Sequence, residues 1–142
     1  MSSLGEYLRN HQAESEVNWD DVRQEWKSAL ESLGAQVDEW LSDVDRDLLD
    51  IEPIEVALTE QHLGPYRVAG RVIKTALGNI ETMPVARLVL GGIGTVDIKS
   101  EIGSYTLLRR QDNEWYYFPD SRSNIQPLDK ELFISLIKGL LP

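Results

Sequence analysis

The stretch NWDDVRQEWKSALESLGAQVDEWLSDVDRDL, residues 18–48, decides the fold because its apolar residues follow one of the most regular patterns in the chain. They recur at spacings of three and four, as on one face of an α-helix. Asn18 suits an N-cap, and Asp20 and Asp21 fall in the first turn, where the helix dipole favours anions. The pattern predicts a long amphipathic helix over residues 18–48. Its apolar stripe consists of Val22, Trp26, Ala29, Leu30, Leu33, Val37, Trp40, Leu41, Val44 and Leu48.

From residue 49 onward the apolar period changes to that of β-strands. Short alternating segments separated by polar and glycine-containing turns are typical of an antiparallel meander. The predicted strands are PIEVALTE (53–60), YRVAGRVIK (66–74), VARLVL (85–90), TVDIKS (95–100), SYTLLRR (104–110) and EWYYF (114–118). In the second strand we expect Tyr66, Val68 and Val72 to lie on one face. The segment ALGNIETMP (76–84) is predicted to be a loop.

Two shorter helices are predicted at the ends of the chain. Ser3 and Glu6 have capping-box spacing, which indicates a short helix followed by a polar linker within residues 1–17. Asp129 suits the cap of a C-terminal helix over residues 128–141, with Leu128 and Phe133 placed as a hydrophobic staple.

An amphipathic helix and a one-sided sheet must each bury their apolar face. The sequence therefore predicts a two-layer α+β fold in a single domain, residues 1–142. The long helix and the C-terminal helix pack on one face of a six-stranded antiparallel β-meander at residues 49–119. We expect Trp26, Leu33 and Trp40 to be buried against the sheet. Alternatively, the apolar stripe forms a coiled coil with a second copy of the chain, in which case the protein is a homodimer.

Composition and charge disfavour several classes of function. The 142 residues include 24 acidic and 14 basic side chains, a net charge of −10, and no cysteine. Residues 1–60 hold 16 acidic and 4 basic side chains, so the negative charge lies in that part of the chain. Such an acidic surface disfavours unaided binding to nucleic acid or to an anionic membrane. With no signal-peptide pattern or membrane-length apolar run, we expect a cytoplasmic protein.

Acidic side chains flank the apolar stripe of the long helix in two rows. One row is Glu31, Asp38 and Asp45; the other is Asp21, Glu25, Glu39 and Asp43. If the stripe is buried, both rows reach solvent and form an acidic surface that would attract a basic protein partner. The alternative is a solvated helix surface that only keeps the domain soluble.

The glycine-rich stretch LVLGGIGTVDIK, residues 88–99, allows two interpretations. A phosphate-binding loop needs a strand, glycines and then a helix whose N-terminus meets the phosphate. Here the residues after the glycines alternate as a strand does, so we interpret the stretch as a hairpin corner. At least one of Gly91, Gly92 and Gly94 should then have a positive φ.

A metal-dependent nuclease or other hydrolase is the alternative function. Asp97 and Lys99 fit the acid-x-Lys half of a nuclease site, in which Lys99 would orient the attacking water. Glu81 is the upstream carboxylate that would complete the magnesium site. The alternative for these residues is the exposed face of a strand, because the helix that usually follows such a strand is not predicted.

The remaining candidate sites favour structural roles. His11 and His62 have no zinc-binding spacing, so we expect no metal site and no cofactor. The aromatic segment EWYYF could stack nucleic-acid bases, but core packing suits an acidic domain better. We therefore expect a non-catalytic protein-interaction module, such as an immunity or antitoxin-like inhibitor, a chaperone or an accessory subunit.

Overall fold

The computed structural model describes residues 4–6, 8, 17–119 and 125–142. Residues 4–6 and 8 are helical, and the rest of the predicted N-terminal helix and linker lies outside the described residues. Residues 120–124, which belong to the loop predicted before the C-terminal helix, also lie outside them.

The long helix, α1, spans Trp19–Trp40 and begins where the sequence predicts. The side-chain oxygen of Asn18 accepts hydrogen bonds from the backbone N–H groups of Asp20 at 3.1 Å and Asp21 at 3.2 Å. These bonds satisfy donors that the first turn of a helix leaves unpaired.

The predicted end of this helix at Leu48 is wrong, because α1 ends at Trp40. Residues 42–47 contain three aspartates and a serine, which favour turns over helix interiors. Carboxylates are also unfavourable at the negative end of the helix dipole, and the last turn has no basic side chain. The hydroxyl of Ser42 donates to the carbonyl oxygen of Glu39 at 2.7 Å, which satisfies one of the terminal carbonyls.

The sheet is an antiparallel meander in which each strand pairs with the next along the chain. The fold is therefore α+β with seven strands, one more than predicted. Strands β1 to β7 span Leu49–Glu60, Gly64–Thr75, Gly78–Ala86, Thr95–Ser100, Gly103–Arg109, Trp115–Phe118 and Gln126–Pro127. The C-terminal helix, α2, spans Lys130–Gly139, and Asp129 caps it by accepting from the N–H of Leu132 at 2.7 Å.

The third strand corrects two predictions. Residues 76–84 were expected to form a loop and residues 85–90 a strand, whereas β3 spans Gly78–Ala86, most of it within the expected loop, and residues 87–94 form a connection. Ile80, Thr82 and Pro84 alternate as buried residues of β3. Pro84 is tolerated because β3 pairs with β2 only as far as Thr82, so beyond that point no neighbouring strand requires a donor on that side.

The alternation of β2 changes at Gly70. Val68 is buried before it and Ile73 after it, whereas Val72, which was expected to share the face of Val68, is only partly buried. A Cβ atom at Gly70 would lie 2.6 Å from the carbonyl oxygen of Thr82, so only glycine allows this approach of the two strands.

One hydrophobic core joins both helices to the sheet. Trp26 is 0% exposed and Leu33 is buried, which confirms two of the three burial predictions for α1. Trp40 is only partly buried and packs against Phe133 of α2, with ring centroids 5.3 Å apart. Among the residues that the structure describes, no helix is long and apolar enough to cross a membrane.

Candidate functional site

The seven carboxylates of the two predicted acidic rows do not all lie on the long helix in the structure. Because α1 ends at Trp40, two of the seven carboxylates, Asp43 and Asp45, lie in the turn that follows it. The other five lie on α1 itself, and they are Asp21, Glu25, Glu31, Asp38 and Glu39.

Three of the seven carboxylates pair with basic side chains of the same chain. Glu25 pairs with Arg109 at 2.5 Å. Asp38 pairs with Arg71 at 3.1 Å, and Asp43 pairs with Lys130 at 3.3 Å. These three pairs link α1 and its following turn to the sheet and to α2, and each places a basic side chain beside the carboxylate.

Three carboxylates on α1 have no basic partner. Asp21, Glu31 and Glu39 are exposed. In the described part of the chain, none of the three has an ion pair or a side-chain hydrogen bond. Asp21 and Glu39 are separated by about five turns of 3.6 residues, so they lie on the same side of the helix. We call these three the free carboxylates of α1.

A groove of about 560 Å³ runs along the flank of α1. The turn between β5 and β6 forms its other side, and its volume is in the range of small-ligand and side-chain sites. Its lining consists of Glu25, Ser28, Ala29, Ser32, Leu33, Gln36, Trp40, Ile93, Arg109, Gln111, Asn113, Glu114, Trp115 and Leu128.

The ion pair in this groove is oriented with its cation inward. The Arg109 side chain is only 3% exposed, whereas that of Glu25 is 47% exposed. Both terminal nitrogens of Arg109 donate to the Glu25 carboxylate, at 2.5 and 3.0 Å, and Nε of Arg109 donates to Asn113 Oδ1 at 2.8 Å. The hydrogen bonds from Arg109 lower the pKa of Glu25 against the opposing effect of partial burial. The groove therefore displays an ionised carboxylate.

Two tryptophans give the groove its apolar walls. Trp115 packs against Trp26 with ring centroids 6.1 Å apart, and Trp40 is held by its contact with α2. Core packing, predicted for the aromatic segment of β6, is confirmed for Trp115 and for Tyr117, whose ring meets Tyr105 edge-on at 5.6 Å. The groove itself was missed by sequence reasoning, because it depends on the distance between α1 and a turn far along the chain.

The glycine-rich stretch forms part of the connection between β3 and β4. Gly91 has φ 80° and Gly94 has φ 144°, which confirms the predicted positive φ. A Cβ at Gly94 would lie 2.3 Å from the Trp26 ring, so the glycine also allows the loop to approach the core. The connection leads into β4 and not into a helix, which is the context of a corner and not of a phosphate-binding loop.

The first part of this connection is held by Glu60 at the end of β1. Its carboxylate accepts from the backbone N–H groups of Arg87 and Leu88 at 3.0 Å and from the hydroxyl of Tyr66. Burial, together with the bond to Glu60, raises the pKa of Tyr66. The loop presents an apolar side chain to solvent, since Leu90 is 95% exposed. Sequence reasoning assigned these residues to a strand and missed their exposure.

The residues of the nuclease alternative share one face of the sheet. Glu81 pairs directly with Lys99 across β3 and β4, and Asp97 occupies the same face one pleat away. Asp97 accepts a hydrogen bond from the hydroxyl of Thr106 at 3.0 Å. Within the described residues, no group of three or more His, Asp or Glu side chains is placed to hold a metal ion.

The two histidines lie in different settings. His62 sits at the β1–β2 turn with φ 69°, and its ring stacks on Trp19 with centroids 4.6 Å apart. His11 lies outside the described residues. Comparison of this chain with protein-family models, with curated proteins and with solved structures gives no match.

Proposed function

We propose that this protein is a non-catalytic protein-interaction module that binds a basic protein partner through the acidic side of α1. An immunity or antitoxin-like inhibitor, a chaperone and an accessory subunit are the kinds of protein that this role describes. The proposal places the module in the cytoplasm, in agreement with the lack of cysteine.

The observation that carries the proposal is the set of free carboxylates on α1. Asp21, Glu31 and Glu39 are exposed side chains on one rigid helix, within a chain of net charge −10. A fixed array of like charges raises the local concentration of an oppositely charged partner and speeds its association. The paired carboxylates Asp38, Glu25 and Asp43 contribute less, because each has a basic side chain of the same chain beside it.

Charge reversal of the free carboxylates tests this proposal. We expect the combined Asp21→Lys, Glu31→Lys and Glu39→Lys variant to stay folded, because these side chains make no ion pairs among the described residues. The variant should lose at least about 90% of the partner recovered by affinity capture from the cell that makes the protein, since like charges oppose the association. Asp38 is left unchanged because its reversal would place a lysine beside the poorly exposed Arg71.

A second triple variant controls for net charge alone. Asp47→Lys, Glu101→Lys and Glu131→Lys change the same number of exposed acidic residues at sites away from the outer side of α1. Glu131 lies in the first turn of α2 and so matches Asp21 in the first turn of α1. This control should recover the partner as the wild type does. Equal recovery by both triple variants would contradict the proposed role of α1.

A metal-dependent nuclease or other hydrolase is the second candidate, favoured by the common face of Glu81, Asp97 and Lys99. In that case magnesium should support cleavage of DNA or RNA, and Lys99→Ala should reduce the rate by about 10²-fold or more, since loss of a group that positions the attacking water costs about that much. We expect no cleavage by the wild type beyond that by Lys99→Ala in a gel assay. Magnesium-dependent cleavage lost in Lys99→Ala would replace the interaction proposal by the hydrolase.

A further inference from the structure

We propose that the groove between α1 and the β5–β6 turn binds an arginine side chain of the basic partner. This inference rests on the proposed function and gives it a specific anchor. The groove has a volume of about 560 Å³, which is enough to enclose a long side chain together with part of its backbone.

The charge of the groove selects a cation. Both residues line the groove, but the Arg109 side chain is buried and that of Glu25 is half exposed, so the carboxylate is the more accessible part of the pair. Each oxygen of Glu25 accepts one bond from Arg109 and keeps capacity for another. Glu114 lines the same groove from the β5–β6 turn and is exposed, with no ion pair among the described residues. An incoming cation therefore meets the unpaired carboxylate of Glu114 and the remaining acceptor capacity of the Glu25 oxygens.

The walls of the groove favour arginine among the cations. Trp115 lies next to Glu114 in the chain, and Trp40 lines the same groove further along α1. A guanidinium is planar, bonds a carboxylate with two parallel N–H groups and stacks on an aromatic face, which a lysine ammonium does not reproduce. The methylene stem of the same side chain can cover apolar surface beside Leu33.

The groove and the free carboxylates of α1 lie next to each other. Glu39 precedes Trp40, which forms one wall of the groove, and Asp21 lies one turn before Glu25. A basic segment attracted by the exposed charges would thus reach the groove without crossing a neutral surface. Rim charges of this kind raise the association rate, and an enclosed charged contact between aromatic walls slows dissociation.

Titration with a defined peptide tests the groove without the partner. The probe is acetylated tetra-arginine amide, added at low salt to ¹⁵N-labelled protein, and the reporters are the indole N–H signals of the four tryptophans. We expect the signals of Trp40 and Trp115 to shift in a saturable way. The signal of Trp19, which stacks on His62 and does not line the groove, should stay in place. Acetylated tetracitrulline amide, which has the same shape without the charge, should produce no saturable shift.

Two matched variants distinguish specific binding in the groove from nonspecific attraction between the peptide and an acidic protein. Glu114→Lys should weaken tetra-arginine binding by at least about fivefold, whereas Glu101→Lys, at the exposed β4–β5 turn, should change it by less than about twofold. The proposed arginine site would be contradicted if the indole N–H signals of Trp40 and Trp115 did not shift. It would also be contradicted if Glu114→Lys and Glu101→Lys weakened tetra-arginine binding equally. The proposed function is tested separately by affinity capture of the partner, which does not depend on the groove. It would be contradicted if the variant with lysine at Asp21, Glu31 and Glu39 still captured the partner.

Discussion

Replacement of Trp26 by alanine should lower the free energy of unfolding by about 3–5 kcal/mol, as large-to-small changes of buried aromatic residues do. The Trp26 side chain is 0% exposed and lies where α1, β6 and the glycine loop meet. Its removal leaves a cavity beside Trp115 and Gly94. Chemical denaturation followed by far-ultraviolet circular dichroism gives the free energy directly.

Trp40→Ala provides the matched comparison on the same helix. Trp40 is only partly buried, so its replacement removes less apolar surface from the core, and we expect a loss of about 1–2 kcal/mol. This is smaller than the loss that full burial of Trp40 would have implied. An equal loss for Trp26→Ala and Trp40→Ala would contradict the packing described for α1.

The second large effect concerns the ion pair of Glu25 and Arg109. We expect Glu25→Ala to lower the free energy of unfolding by about 2–4 kcal/mol, because it leaves a buried guanidinium without its counterion. Arg109→Met should cost less than about 1.5 kcal/mol, because Glu25 is half exposed and water can solvate it once its partner is gone. Asn113 remains as a hydrogen-bond acceptor for Arg109 in the first variant, which keeps the loss below that of a fully unpaired buried charge.

The double variant Glu25→Ala with Arg109→Met completes this comparison. It should be more stable than Glu25→Ala alone, since the uncompensated buried charge is removed together with its partner. Denaturation curves of the four proteins measure the coupling energy. A double variant at least as unstable as the sum of the two single losses would show that Arg109 is not the source of the penalty.

The same pair predicts the direction of the acid response. The pKa of Glu25 is lowered from its ordinary value of 4.5, so the folded state favours the ionised carboxylate. Its contribution to stability is therefore complete above pH 4.5 and is lost as the pH falls below that value. In Glu25→Gln this part of the acid destabilisation should be absent when unfolding is measured across the acid range. An unchanged pH dependence would contradict the assignment.

Local sequence signals were sufficient for the parts of the fold that local interactions determine. The Asn18 and Asp129 caps mark the starts of α1 and α2, and β4 matches its predicted limits at Thr95–Ser100. The helix end and β3 were misjudged where two local signals compete. Apolar residues at Val44 and Leu48 continue the helical period, but the serine and aspartates of residues 42–47 favour a turn, and the helix ends at Trp40.

The site was less accessible to sequence reasoning because it depends on distant contacts. The acidic rows were visible on the helical wheel, yet their partners Arg71 and Arg109 come from strands whose arrangement the pattern does not specify. Gly70 changes the inward face of β2, close to the point where Arg71 meets Asp38. No periodicity in the sequence distinguishes a paired carboxylate such as Asp38 from a free one such as Glu39.

The dependence of the association rate on salt tests the role of the free carboxylates most directly. The purified partner is mixed with wild-type protein and with the variant carrying lysine at Asp21, Glu31 and Glu39, and the association rate constant is measured by stopped flow. For the wild type we expect the rate constant to fall by about tenfold or more between about 50 mM and about 500 mM salt, because screening removes the steering field. In the triple lysine variant the rate should be slow at low salt and should not fall further as salt rises. The same steep decline in both proteins would contradict recognition through α1.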